Sequence, residues 1–245
     1  MSHLGKFLML SGLVLVLVAL WKANVLPPPN LLRAELLDDP RQMAVGRPAF
    51  TAQAGGVDYS VQPLYRYDLH GLIVSRHDSD TWWDYIHKEW NDHLNVADLC
   101  VVFGENARSG AYRDISFTNG QFVCNFQTSS SEAYAAFDQT AISNNHLLTT
   151  DATIAKRIRK ARVGDQIHFT GYLAEYSHNV GSGFRRGTST VRTDSGNGAC
   201  ETVFLESFEI VAPGGGPWPM LVKLAIGTMI GGLLLWLAAP VRFND

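Results

Sequence analysis

The sequence predicts an α+β protein, mainly β, in which a globular domain lies between two transmembrane helices. Residues 7–21 and 224–240 carry no charged side chain and are strongly apolar, which predicts the two helices. Between them, short apolar runs alternate with glycine- and asparagine-containing turns, a pattern typical of strands. We expect an N-terminal anchor at 1–25, a linker at 26–46, the domain at 47–213, and a C-terminal helix with a short tail at 214–245.

The first apolar stretch has two interpretations. A spanning helix needs about 20 mostly apolar residues, and both stretches reach that length if Lys6 and Lys223 extend their side chains to the membrane surface. The alternative for the first stretch is a cleaved signal peptide. Residues 21–23 (WKA) lack the small-x-small cleavage pattern, so the sequence favours an uncleaved anchor.

The basic residues near the two helices predict the orientation. Lys6 precedes the first helix and Arg242 follows the second, whereas Lys22 argues the other way. Because basic residues favour the cytoplasmic side, we expect cytoplasmic chain ends and a periplasmic domain at the bacterial inner membrane. Gly227 and Gly231 form a GxxxG motif that permits close packing against the first helix or a second copy of the chain.

Periodicity and turn residues predict the elements of the domain. Gly71 marks a bulge or a close approach within a strand. Asp151 is suited to cap a helix with an apolar stripe. Residues 143–146 (SNNH) predict a turn, and the alternative is that they supply polar groups to a site. Strands are predicted at 50–51, 57–61, 65–75, 96–103, 121–127, 166–176 and 199–211, and helices at 80–94, 131–137 and from 152 to 161.

Residues 65–211 follow the order strand, strand, strand, helix, strand, strand. Segment 162–172 (RVGDQIHFTGY) adds a Gly-Asp turn followed by an alternating strand with a glycine bulge. This order and this segment resemble the OB-fold, a five-stranded barrel that binds ligands at its first and last inter-strand loops. The chain also resembles uncharacterised bacterial membrane-anchored proteins. The resemblance implies an OB-like barrel and implies no activity.

The first of these loops, residues 76–95, is rich in tryptophan, histidine and aspartate. On a helix, Asp80, Asp84 and His87 share one face. With His77 they predict a divalent metal site. The alternative is a solvated polar face opposite a core face. If exposed, the loop tryptophans offer a stacking surface for a ligand: Trp82, Trp83 and Trp90.

The last loop, residues 177–199, combines several glycines with three arginines. Arg185, Arg186 and Arg192 are suited to hold a carboxylate, phosphate or sulfate through paired hydrogen bonds. The alternative is a flexible hydrophilic loop with solvated arginines.

The chain has three cysteines. Cys100 lies in an apolar run and is typical of a buried small hydrophobe. Cys124 and Cys200 lie in more polar strands, so we expect them to form the disulfide if the domain is extracytoplasmic.

These features favour a non-enzymatic binding or scaffolding module of the cell envelope. The net charge of −3 argues against nucleic acid as a partner, and no nucleophile, zinc-protease or phosphate-loop motif is present. No cofactor is predicted. The expected partners are the lipid bilayer, an envelope protein or glycan, and a second copy of the chain. The alternatives are a metal-dependent hydrolase and an oligomeric subunit of a membrane complex.

Overall fold

The computed structural model describes residues 2–23, 25–196 and 200–238. It is a mixed α+β structure in which strands form most of the domain. The chain divides into two compact units. One unit consists of the two terminal helices, and the other spans Leu26–Pro213.

The helices of the described chain are mostly short, apart from the two at its ends. In chain order they are α1 (Ser2–Ala23), α2 (Ile86–Glu89), α3 (Gly104–Ser109), α4 (Ser131–Ala136), α5 (Ala152–Lys160) and α6 (Trp218–Leu237). The strands are β1 (Arg41–Ala44), β2 (Phe50–Ala54), β3 (Val57–Asp78), β4 (Asn95–Val102), β5 (Ser116–Gly120), β6 (Val123–Gln127), β7 (Ile142–Leu148), β8 (Gln166–His178), β9 (Phe184–Arg186) and β10 (Cys200–Ala212).

α1 and α6 are both long and apolar enough to cross a membrane. They run antiparallel, because a Cβ atom at Gly5 would meet Gly232 and one at Gly12 would meet Ala225. On each helix these small residues are seven positions apart, so they form one seam at which the two backbones approach closely. Gly227 and Gly231 lie off this seam, and a Cβ atom at either would meet nothing within 4 Å. Packing of these two glycines against a second copy stays a prediction.

The domain is built on one eight-stranded sheet. Its order is β1-β3-β4-β7-β10-β8-β9, with β2 paired to β3 and β3 paired also to β8. β7 and β10 run parallel, whereas the other neighbours run antiparallel. β5 and β6 form a separate two-stranded hairpin.

Alternation along the central strands separates two faces of this sheet. Odd-numbered residues such as Leu69, Val101 and Phe169 pack with Ile154 and Ile158 of α5 in one hydrophobic core. Asp151 caps α5, as predicted, by accepting hydrogen bonds from the backbone N–H groups of Thr153 (2.6 Å) and Ile154 (3.3 Å). Even-numbered residues point to the opposite face, which is where β4 and β7 carry polar side chains.

Two predicted strands occupy different positions. Residues 57–78 form one continuous strand rather than two, and Pro63 lies where its pairing with β8 shifts register, a place that tolerates proline. The strand next to β4 in the main sheet is β7. Residues 121–127, which were predicted to follow the strand at 96–103, belong instead to the separate hairpin. The predicted turn at 143–146 therefore lies inside β7, where pairing with both β4 and β10 satisfies the backbone.

The predicted linker at 26–46 is largely part of the domain. It contains 3₁₀ helices at Pro29–Leu31 and Ala34–Leu37, and Leu36 is completely buried. Gln166 of β8 holds this segment by donating to the Leu31 carbonyl (2.9 Å) and accepting from the Arg33 N–H (2.7 Å). Its last part, β1, pairs with β3.

The disulfide differs from the predicted pairing of Cys124 with Cys200. Cys100 and Cys124 are bonded, with their Cα atoms 5.8 Å apart, and Cys200 is a free thiol. Cys100 occupies an even-numbered position of β4 and is fully buried in a second hydrophobic cluster on that face, where Cys124 of β6 packs against it. The bond therefore fastens the β5–β6 hairpin onto the outer face of β4.

Candidate functional site

The outer face of β4 and β7 carries a set of buried polar side chains. The segment between β3 and β4 covers it, together with the turn of the β5–β6 hairpin. Each of these side chains is at most 2 % exposed, which is rare for ionisable groups. The set comprises His77, Asp84, His87, Asp92, Asn95, Asp98 and His146.

Asp84 is the centre of the first half of this set. Its Oδ2 atom lies 2.6 Å from His77 Nε2 and 2.6 Å from His87 Nδ1. Its Oδ1 atom accepts a 3.0 Å hydrogen bond from the His87 backbone N–H, so the side chain also caps the start of α2. One carboxylate thus fixes the covering segment to the end of β3.

Asp98 is the centre of the second half. Its Oδ1 atom lies 2.6 Å from His146 Nδ1 and 2.8 Å from Asn95 Nδ2, and its Oδ2 atom accepts the Phe122 backbone N–H at 2.8 Å. Asn95 Nδ2 also lies 2.9 Å from His87 Nε2, which joins the two halves. At the far end, Arg186 Nη2 lies 2.7 Å from His146 Nε2.

Donor and acceptor rules assign the histidine protons. A guanidinium and an amide NH₂ can only donate, so Nε2 of both His146 and His87 accepts. Their Nδ1–H groups then donate to Asp98 and Asp84, and both rings are neutral. A continuous set of hydrogen bonds therefore links Arg186 to Asp84 through His146, Asp98, Asn95 and His87, and we call it the Arg186–Asp84 network.

The pKa shifts agree with this assignment. Burial lowers the pKa of His146 despite the neighbouring Asp98. Burial opposes ionisation of Asp98, but the hydrogen bonds that His146 and Asn95 donate to its carboxylate outweigh it, so the pKa of Asp98 lies below its usual value. Asp92 differs, because burial raises its pKa although Tyr176 donates a 2.6 Å hydrogen bond to its carboxylate.

The structure brings together three of the four predicted metal ligands. His77, Asp84 and His87 each place a ligand atom within 4.8 Å of the others. Asp80 lies elsewhere and pairs with Arg159 on the surface (3.2 Å). The predicted helix at 80–94 is reduced to α2, because Asp84 caps a single turn and Asn91 adopts a positive φ of 50°.

The distances within the triad His77, Asp84 and His87 suit hydrogen bonds better than metal coordination. Bonds of about 2.1 Å place neighbouring ligand atoms roughly 3.0 to 3.4 Å apart, whereas both contacts of Asp84 Oδ2 are 2.6 Å. His77 Nδ1 is buried without a hydrogen-bond partner. Metal binding here stays a prediction. As the structure stands, the hydrogen bonds of Asp84 attach the segment that contains His87 to the end of β3.

A cavity of about 450 Å³ opens beside the Arg186 end of the network. Its walls come from the β5–β6 hairpin, β7, the start of β10 and the segment between β8 and β10. The lining residues that matter here are Phe122, Ser143, Asn144, Arg186 and Cys200. The cavity thus mixes an aromatic ring, neutral polar groups and one cation.

Arg186 brings an uncompensated positive charge to this cavity. Its guanidinium lies 3.9 Å from the ring centre of Phe122, and its Nε atom is buried with no hydrogen-bond partner. Across the residues that the structure describes, Arg186 makes no ion pair with a carboxylate. A buried donor and a positive charge without a counter-ion favour an anionic group in the cavity.

The other two arginines predicted to bind a ligand, Arg185 and Arg192, each form an ion pair within the protein. Arg185 is exposed and pairs with Glu175 (2.7 Å). Arg192 points inward to Glu201 (3.4 Å) and donates to the Thr140 carbonyl (2.6 Å). Burial raises the pKa of Glu201 to about 7 even with this partner, and its Oε2 atom has no hydrogen bond.

The three loop tryptophans lie in different environments. Trp82 is 89 % exposed. Trp83 packs against His77 with ring centres 4.6 Å apart, and Trp90 stacks on Phe122 at 5.5 Å. Because Phe122 lines the cavity, Trp90 extends its aromatic wall to the surface, whereas the other two tryptophans lie apart from the lining.

Sequence reasoning missed Asn95, Asp98 and Phe122, and it gave His146 as a site residue only as the alternative to a turn. Asp98 and His146 directly oppose each other in the β4–β7 register. The available signal was Asp98, a charged residue inside the mostly apolar strand β4. Its partner in β7 was hidden, because residues 143–146 are polar at odd and even positions alike and have the composition of a turn.

No known protein-family model, curated protein or solved structure matches this chain.

Proposed function

We propose that this protein is a membrane-anchored binding module of the bacterial cell envelope, with an OB-like domain facing the periplasm and an anionic group as its ligand. The observation that carries the proposal is the guanidinium of Arg186, which meets the cavity without a carboxylate partner among the described residues. The two apolar terminal helices support the membrane anchor.

The strand pairings support the OB-like interpretation. β3 pairs with β4 and β8, β4 pairs with β7, and β10 pairs with β7 and β8. α5 falls between β7 and β8 in the chain, which matches the helix between the third and fourth strands of an OB-fold. OB domains bind ligands on the face of the second and third strands. Here those strands are β4 and β7, which carry the Arg186–Asp84 network.

Exposure of the loop aromatics supports binding over a purely structural role. Trp90 is 40 % exposed and continues the aromatic wall formed by Phe122. Aromatic rings next to a cation suit a ligand that combines a flat or apolar face with a negative charge, such as an acidic sugar or a carboxylate-bearing peptide.

The test compares two adjacent arginines in the full-length protein in detergent. Inorganic phosphate, sulfate and glucuronate are titrated while the unfolding temperature is recorded. We expect at least one anion to stabilise the wild type and Arg185→Gln, and to bind Arg186→Gln about 10- to 100-fold more weakly, as for a lost hydrogen-bonded charge. Equal stabilisation of both variants, or no response to any of the three anions, would refute the proposal.

A metal-dependent hydrolase is the second candidate, because His77, Asp84 and His87 converge. Their complete burial opposes it, since a catalytic metal needs an open position for water and substrate. Metal content of the purified protein tests it. One equivalent of metal that is lost in His87→Ala would revive the hydrolase interpretation, whereas a metal-free wild type would eliminate it.

A further inference from the structure

A second cluster of histidine and aspartate lies on different strands from the proposed anion site. His70 of β3 and His168 of β8 directly oppose each other in the antiparallel register. Their rings stack with centres 3.8 Å apart and planes within 6°. Asp68 lies two residues before His70 on the same face of β3, and its Oδ1 atom is 2.9 Å from His168 Nε2 and 3.9 Å from His70 Nδ1.

We propose that Asp68, His70 and His168 bind a first-row divalent transition metal ion such as Zn²⁺, Ni²⁺ or Cu²⁺. Two imidazoles and one carboxylate are ligands that these ions prefer, whereas Mg²⁺ and Ca²⁺ prefer oxygen alone. The ligand atoms of the three side chains all lie within 4.8 Å of one another. This proposal is independent of the anion site.

The spacing of this cluster fits a metal better than that of the buried triad His77, Asp84 and His87. Neighbouring ligand atoms around an ion with bonds of about 2.1 Å lie roughly 3.0 to 3.4 Å apart. The contacts of Asp68 Oδ1, at 2.9 and 3.9 Å, bracket that range. Binding of one ion requires the two stacked imidazole rings to rotate about their side-chain bonds so that both nitrogens face it.

Exposure and rigidity also favour this cluster. The side chains of Asp68, His70 and His168 are 38 %, 28 % and 26 % exposed, so water can reach an ion and complete its coordination. The backbones are held by the long β3–β8 pairing, which limits the entropy lost on binding. Arg33 and Glu35, which act on His70, pair with each other at 3.0 Å. In the strand registers, Arg41 lies opposite Asp68 and Glu209 lies opposite His168.

The test uses tag-free full-length protein in detergent, dialysed against Zn²⁺, with bound metal measured by mass spectrometry. We expect one equivalent of Zn²⁺ in the wild type and in His93→Gln, which alters an exposed histidine outside the cluster. His70→Gln and His168→Gln should each weaken binding more than about 100-fold, since even residues that only orient ligands contribute 10- to 100-fold. Asp68→Asn should weaken it at least about 10-fold.

Two controls keep the result unambiguous. Unfolding temperatures measured without metal must match between the wild type and the glutamine variants, and Cu²⁺ electron paramagnetic resonance should show coupling to two imidazole nitrogens. Absence of stoichiometric Zn²⁺ in the wild type would overturn the proposal. Binding that survives His70→Gln and His168→Gln but is lost in His87→Gln would also overturn it, because the metal would then occupy the buried triad.

Discussion

Two regions on the outer face of the same sheet carry histidines and aspartates in different environments. On β4 and β7 they are covered, and Asp98 has three hydrogen-bond donors within 2.8 Å. On β3 and β8 they remain open to water, and Asp68 has one close contact, to His168 at 2.9 Å. The residue types are the same, so the cover decides the difference.

Burial changes what a histidine–aspartate contact does. In the covered face, an unpaired polar group costs about 1–3 kcal/mol, and most of the polar atoms there share hydrogen bonds, so the side chains cannot move independently. On the open face, water can replace each contact, and the side chains stay available to a ligand. The covered cluster therefore stabilises the fold, whereas the open cluster has the properties of a binding site.

The largest expected effect comes from removing the centre of the covered network. Asp98→Ala should lower the free energy of unfolding by about 3–5 kcal/mol, because it leaves buried donors without an acceptor. Chemical denaturation of the full-length protein in detergent measures this loss. Asp80→Ala, which removes an exposed ion pair with Arg159, should cost less than about 1 kcal/mol. Similar losses in the two variants would contradict the importance assigned to the cover.

The next effect concerns the bond that holds the cover in place. Cys100→Ser with Cys124→Ser opens a disulfide with a sequence separation of 24, which should cost about 3 kcal/mol. Hydrogen exchange should rise in β5 and β6 before it rises in β3. Cys200→Ser is the matched control and should change neither quantity. Unaltered protection of the hairpin would show that the disulfide is not what fastens it.

Glu201 lies in a third environment, on the core side of the sheet, and we expect it to make the stability of the fold depend on pH. The pKa of Glu201 is raised to about 7, above that of an unfolded glutamate, about 4.3. Between these values the folded state holds a proton that the unfolded state has lost, so stability falls as pH rises, by up to about 3 kcal/mol. Unfolding temperatures across that range should decline in the wild type and much less in Glu201→Gln. Parallel curves would refute the assignment.

The smallest effect is expected on the open face. Asp68→Ala removes contacts that water can replace, so without metal it should change stability by less than about 1 kcal/mol. The same variant should abolish any stabilisation by Zn²⁺. Thermal unfolding with and without the ion separates the two effects. A large loss in metal-free buffer would mean that the two faces are more alike than their exposure indicates.

Much of the architecture was predictable from local patterns. The apolar terminal helices, the β2–β3 hairpin, α4, α5 with its Asp151 cap, β8 and β10 all follow from periodicity, capping and turn residues. The close approach at Gly71 also follows, since a Cβ atom there would overlap Val101. These features depend on neighbours in sequence, and local sequence encodes them well.

The predictions failed where tertiary contacts decide the outcome. A polar stretch such as SNNH becomes strand β7 only because β4 and β10 flank it. The Cys100–Cys124 bond depends on where a hairpin docks, which no local pattern specifies. For the same reason, the sequence indicated His77, Asp84 and His87 as a cluster, but it did not indicate that Asp98 pairs with His146, 48 positions away.

The seam between α1 and α6 has a consequence for biosynthesis. The surface of α1 that carries Gly5 and Gly12 has its partner in α6, and the whole domain is translated between the two helices. At 5–20 residues per second, α1 waits roughly 10 to 40 s for that partner. Throughout this interval the glycine surface of α1 has no partner helix within its own chain.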